Sequence, residues 1–282
     1  MPTSHRKATV IAVTLALGIS SVLAQTRPSF EVASIRPNLS ESASTTIRAA
    51  FGSPVTATNI TVRTLILTAY RVHRLRLVGG PAWIDRERFD IVAKQPPDTP
   101  TDQITLLWQS LLEDRFKLRV RKELRPRPVY RLVTARNDGS LGPQLGRSTT
   151  DCAAIDAAAR KGPIQMPAAG QRLPCNQRGS LMPDGQGIVS IAGRDMAVLA
   201  ELLTLVAGQD RIVVDRTGLS GEFDAELRWH DEPMRGGSSS VPSDERLSVF
   251  TAIQEQLGLK LEPATEPVDV LVVESVERPT PD

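Results

Sequence analysis

The sequence predicts an α+β fold built as a tandem duplication of a βαββαββ module, with a disulfide-bearing linker between the copies. Three observations predict it. Residues 83–94, WIDRERFDIVAK, and residues 213–229, VVDRTGLSGEFDAELRW, both pass from an apolar pair through Asp-Arg to Phe-Asp and an alternating tail. Around each string the apolar periodicity gives one order twice: strand, helix, strand, strand, helix, strand, strand. Two cysteines, Cys152 and Cys175, fall between the copies.

The first copy begins with a short strand, VTATN, at 55–59. The next stretch, ITVRTLILTAYRV, has apolar residues at 62, 65, 66, 69 and 70, a helix stripe that Thr61 or Asn59 can cap. LRLVGG is a strand stopped by its glycines, and RFDIVAK is another. After the loop PPDTPTD comes a second helix, ITLLWQSLLEDRF. KLRVRKEL alternates as a strand, Pro126 and Pro128 mark its end, and VYRLVTA is expected to pair back onto it. Ahead of this copy, FEVASIRPN adds an edge strand.

The second copy repeats the order with GIVSIAG, the helix RDMAVLAELLTLVAG, RIVVD, EFDAELRW, the helix ERLSVFTAIQEQLG with Gly258 as C-cap, and a hairpin of LKLEP with VDVLVVESV. Leu107, Trp108 and Leu111 align with Val249, Phe250 and Ile253, and Phe116-Lys117-Leu118 with Leu259-Lys260-Leu261. The repeated string is read as architectural: Phe89 and Phe223 enter the cores, and Asp85 and Asp215 hold turns. The division is residues 1–24 signal peptide, 25–136 first module with its edge strand, 137–186 Gly/Pro-rich linker, and 187–282 second module.

MPTSHRK followed by ATVIAVTLALGISSVLA reads as a secretory signal cleaved after Ala24, or else as an uncleaved membrane tether. Cleavage removes Arg6 and Lys7, so Lys+Arg falls from 34 to 32 and equals the 32 acidic residues. A neutral chain offers no argument for nucleic acid as a partner. In an exported protein Cys152 and Cys175, with 22 residues between them, read as a disulfide. Closing that loop restricts the unfolded chain by about 3 kcal/mol on an entropy model.

The second copy, VSIAGRDMAVLAELLTLVAGQDRIVVDRTGLSGEFDAEL with LSVFTAIQEQLGLKLEPATEPVDVLVV, resembles the small βαββαββ domains at the periplasmic end of secretins and TonB-dependent receptors. Over nearly the whole mature chain, FEVASIRPN, GGPAWIDRERFDIVAK, LLEDRFKLRVRKELRPRPVYRLV and FTAIQEQLGLKLEPATEPVDVLVVESVERP resemble a soil-associated family of bacterial exported proteins. That family has no assigned function, and some relatives are attached to membrane metallopeptidases of the antibiotic-sensor type. The resemblance implies an envelope location and a sensing or docking role.

Catalytic patterns are missing from the sequence. His5, His73 and His230 are scattered, HExxH is absent, and no zinc ligand set can be assembled. No GxSxG elbow, GxGxxG or Walker loop occurs, and no catalytic, cofactor or metal residue is assigned. Trp83 and Trp229 are read as packing residues, with a ligand-stacking platform as the alternative. One feature carries a functional expectation: Lys117, Arg119, Arg121, Arg125 and Arg127 make the end of copy one basic. The same elements of copy two are acidic, with Glu262, Glu266, Asp269, Glu274 and Glu277. Basic on acidic association, within or between molecules, is the expectation, with an envelope protein or an anionic polysaccharide as other partners. The sequence therefore predicts a non-catalytic envelope binding, docking or sensing protein. The alternatives are a hydrolase acting on an envelope polymer and a structural subunit of an envelope assembly.

Overall fold

Bulges, caps and prolines, more than the apolar stripes, decide how these elements assemble. The computed structural model describes residues 27–40, 42, 44–48, 54–97, 99–100, 103–136, 138–152, 154–155, 175–206, 210–230 and 247–280. The expected signal segment, most of the DCAAIDAAARKG segment and the 231–243 loop lie outside these residues. The fold is mixed α+β with three four-stranded sheets and one disulfide, Cys152–Cys175.

The chain opens with β1 (Val32–Pro37), β2 (Thr46–Arg48), β3 (Val55–Thr61) and α1 (Val62–Tyr70). Then come β4 (Leu77–Gly79), α2 (Trp83–Arg86), β5 (Arg88–Lys94), α3 (Ile104–Arg115) and β6 (Arg119–Thr134). They are followed by β7 (Leu145–Arg147), β8 (Gln177–Leu181), β9 (Gln186–Arg194), α4 (Met196–Val206), β10 (Ile212–Asp215) and β11 (Phe223–His230). Last are α5 (Val249–Ala252), which runs on as a π-helical turn over Ile253–Leu257, and β12 (Leu259–Ser275). One outer sheet has the order β1-β5-β3-β2 and the other β7-β11-β9-β8, so adding six to each strand of the first yields the second. The strands β7 and β8 arise within 137–186, the stretch expected to be linker.

The Phe-Asp string explains itself here. In β3 two residues, Thr58 and Asn59, lie opposite the single Asp90 of β5, and in β9 Ala192 and Gly193 lie opposite Asp224 of β11. Each is a β-bulge whose second residue is left-handed, Asn59 at φ 56° and Gly193 at φ 60°. Asp90 Oδ1 accepts the Asn59 N–H at 2.8 Å, and Asp224 Oδ1 accepts the Gly193 N–H at 2.8 Å. Two residues further on, Thr61 caps α1 by accepting from Thr64 N, and Asp195 accepts from Val198 N at the start of α4. Phe89 and Phe223 are buried in separate cores, as expected. Asp215 holds its turn through Thr217 N–H and hydroxyl, whereas Asp85 instead takes the Arg63 guanidinium of α1.

The expected hairpins do not form. Residues 119–134 are one strand, and so are 259–275; the two pair antiparallel over sixteen residue pairs in a central sheet ordered β10-β6-β12-β4. The prolines permit this. Pro126 faces Pro267, Pro128 faces Thr265 and Pro263 faces Tyr130, all on one parity of the ladder. The Ala135 N–H to Gly258 O bond puts the other parity in the hydrogen-bonded pairs, so these prolines point their nitrogens outward. Parallel β10 covers the outer edge of β6 at 129–132, and parallel β4 covers β12 at 271–273. The prolines sit where no strand lies outside, so no ladder bond is lost.

Each helix before the ribbon ends in a left-handed residue, Lys117 at φ 50° and Gly258 at φ 67°. The flanking Phe116 and Leu118, or Leu257 and Leu259, are buried. The structural counterpart of Phe116-Lys117-Leu118 is therefore Leu257-Gly258-Leu259, two positions earlier than the sequence alignment placed it. The alignment of Trp108 with Phe250 also hides a difference. Trp108 is buried against Phe30, while Phe250 is 40% exposed and edge-on to Tyr130.

The ribbon joins the two cores. Leu271 and Val273 of β12 pack with Leu65, Ile66, Trp108 and Phe116, and Leu132 of β6 packs with Leu199, Leu203, Phe223 and Leu257. Burying such a side chain contributes about 1.5–3 kcal/mol, so each half draws part of its stability from the other half's longest strand.

Candidate functional site

The basic strand and the acidic strand meet each other. Alternation along β6 sets Arg119, Arg121, Arg125 and Arg127 on one face, with Glu123 and Arg131. Lys117 does not join them: it lies before the strand in the left-handed turn, and its Nζ donates to Asp114 O at 2.8 Å. Arg121 pairs with Glu123 at 2.6 Å and with Glu274 of β12 at 2.9 Å. Arg125 grips Glu123 through Nε and Nη2 at 2.9 and 3.1 Å. Arg127 donates to Leu75 O.

Glu266 of β12, its side chain only 8% exposed, receives Arg131 and Arg216 together. The hydrogen bonds from Arg131 and then Arg216 hold its carboxyl below the usual range against the opposing effect of desolvation. Glu123 is likewise held low, first by the Arg125 hydrogen bond. Much of the opposed charge legible in the sequence is thus met inside one chain.

The sheet edges are also occupied in part. Arg115 donates to Ala33 O on the outer side of β1, and the hydroxyl of Thr204 bonds both Val213 N–H and C=O on β10. Such side-chain contacts blunt an edge against strand addition.

Two clefts collect arginine instead. One, of about 740 Å³, is lined by Arg86, Arg88 and Arg278 with Glu87, beside Leu39 and Phe89. Arg278 reaches from the C-terminal tail, takes Glu87 through Nε and Nη2 at 2.9 and 2.6 Å, and stands 5.1 Å over the Trp83 ring. Its hydrogen bond holds the Glu87 carboxyl low. Arg86 makes no side-chain bond among the described residues. The other cleft, of about 560 Å³, lies between the 71–76 connection, α4 and β10, with Arg71, His73, Arg76 and Arg216 on it.

Trp229 is a core residue, so the stacking reading fails there; a Cβ built on Gly187 would fall inside its ring. His230 Nε2 contacts Asp184 O at 3.2 Å. Among the described residues no group of three or more His, Cys, Asp or Glu could hold a metal ion, and no helix is long and apolar enough to cross a membrane. Sequence reasoning missed the arginine clefts, although the run Arg-Val-His-Arg-Leu-Arg at 71–76 was in plain view. Its meaning depends on α4 and β10, which arrive from more than a hundred residues away.

A family model described as a protein of unknown function (DUF3738) matches residues 63–276. No curated protein and no solved structure matches the chain.

Proposed function

The chain belongs to the DUF3738 family, and we propose that it is an exported, non-catalytic binding protein of the bacterial cell envelope that recognises anionic groups. One observation carries the reading: two separate clefts each bring arginines together, and the carboxylates bonded to those arginines, Glu87 and Glu266, are held ionised. A general acid needs the opposite, a carboxyl raised toward neutrality by burial. Arginine presents a planar fork suited to carboxylate and phosphate, so such walls favour recognition.

The basic, apolar and Ala-ended leader at 1–24 and the disulfide support export. The likeness of FEVASIRPN and the 213–229 string to exported soil-bacterial proteins and to periplasmic modules supports an envelope setting. A role between molecules rests on the clefts rather than on the ribbon, whose arginines are largely engaged within the chain.

The test is retention of envelope extract on immobilised protein from Gln25 onward, at low and then high salt. Retention that high salt releases, and that Arg71→Glu with Arg86→Glu abolishes, is expected. Failure to retain any envelope component at low salt overturns the reading.

A further inference from the structure

The connection between α1 and β4 is built unlike its surroundings. Arg71 ends α1 in a left-handed conformation, φ 50°. His73 Nδ1 then accepts the Leu75 N–H at 3.3 Å, and a single 3₁₀ turn over Arg74–Arg76 follows. The turn is fastened to both ribbon strands: Arg127 of β6 donates to Leu75 O, and Arg76 donates to Asp269 O of β12. Leu75 packs with Val129, Ile212, Val268 and Val270. The other side of this connection faces α4 and β10, and the 560 Å³ cleft lies between them.

We propose that this cleft binds a small organic anion, its carboxylate or phosphate head held by Arg71, His73 and Arg76 and its compact apolar body laid on Ala197, Ala200 and Val214. The proposal rests on the binding reading above and narrows it to one cleft and one ligand class. The volume falls within the range of small-molecule sites, roughly 300–1,000 Å³. The donors are available. Arg71 makes no side-chain bond among the described residues, and Arg76 spends one N–H on Asp269 O. Because His73 Nδ1 accepts, its proton sits on Nε2, which remains a donor.

Positive charge lies close to His73. The pKa of His73 lies below its ordinary value, first through burial and then through Arg74 and Arg76. Carboxylates also line the cleft, and their commitments differ. Asp215 Oδ1 is taken by Thr217, and Arg216 is taken by Glu266. Glu201 lies on the exposed face of α4, on the wall opposite the connection.

The probes are phenyl phosphate, inorganic phosphate and phenol, titrated into the protein by calorimetry, with the His73 imidazole followed by NMR. Phenyl phosphate is expected to bind saturably, more tightly than inorganic phosphate, with phenol inert and the His73 resonance moving. Arg71→Gly removes the guanidinium while placing glycine at a left-handed position it adopts freely, so the fold survives. That variant is expected to weaken phenyl phosphate by about tenfold, the worth of one charge-assisted hydrogen bond. Arg178→Gln, exposed on β8 and outside both clefts, is expected to leave it unchanged. Equal binding by Arg71→Gly, loss in Arg178→Gln, or no saturable binding at millimolar phenyl phosphate overturns the proposal. Should Arg71→Gly keep its hold on envelope material while this cleft takes no anion, the site fails and the broader reading stands.

Discussion

Two aspartates do the same task 134 positions apart. Asp90 and Asp224 each sit opposite two residues of a bulge and accept the N–H of its left-handed member. Asn59, whose N–H Asp90 receives, is only 2% exposed, so water cannot replace the bond. Removing the acceptor leaves a buried donor unsatisfied, at about 1–3 kcal/mol. Asp90→Ala and Asp224→Ala are each expected to lower the unfolding free energy measured in urea by that much, and the two losses to add, because the sites share no partner. Strong non-additivity in the double variant would show that the bulges are coupled. The repeated Phe-Asp string was legible as architecture from spacing alone, because a buried Phe beside a fixed Asp leaves a periodic trace. Which atom the Asp holds was not legible, since the bulge exists only once two strands are paired.

At the scale of elements, the stripes of α1 and α4 could be read directly, while β6 and β12 could not. Proline ordinarily ends a strand, and Pro126 and Pro128 predict an end that β6 does not have. A strand whose outer edge is open tolerates them on the outward parity, and only the register shows which parity that is. Pairing also decides the fate of charge. Glu266 becomes an acceptor for two arginines whose side chains stay 45% and 53% exposed. Its folded pKa is depressed below the ordinary 4.5. A depressed carboxyl contributes stability fully above its unfolded pKa and loses it as pH falls through the folded value. The melting temperature of the wild type is therefore expected to fall more steeply below about pH 4.5 than that of Glu266→Gln, the two curves converging in acid. At neutral pH Glu266→Gln is expected to be the less stable. Parallel curves throughout the acid range would remove Glu266 from the account.

On the scale of the whole molecule, the two halves are bound together more closely than two modules in series. β4 of the first half adds to β12 of the second, and β10 of the second adds to β6 of the first. The outer sheets share one strand order, and the central sheet reads as its own mirror image when each strand is exchanged for the one six places away. The helices and most strands were visible in the sequence, but β7, β8 and the unbroken ribbon strands were not; the exchange across the centre was hidden too, because it depends on contacts of long sequence separation. Its consequence can be tested by cutting the chain. A protease site introduced between residues 160 and 170 lies between Cys152 and Cys175, so the oxidised pieces stay joined by the disulfide. After reduction nothing covalent remains. The pieces are still expected to elute together, because the first carries β6 and β7 and the second carries β12 and β11, their partners. Sixteen ladder pairs and two shared cores oppose separation. Each piece made alone exposes a long strand without its neighbour and is expected to self-associate or aggregate. Two pieces that separate on reduction and remain folded and monomeric would mean that the halves are independent domains and that the ribbon is only a contact between them.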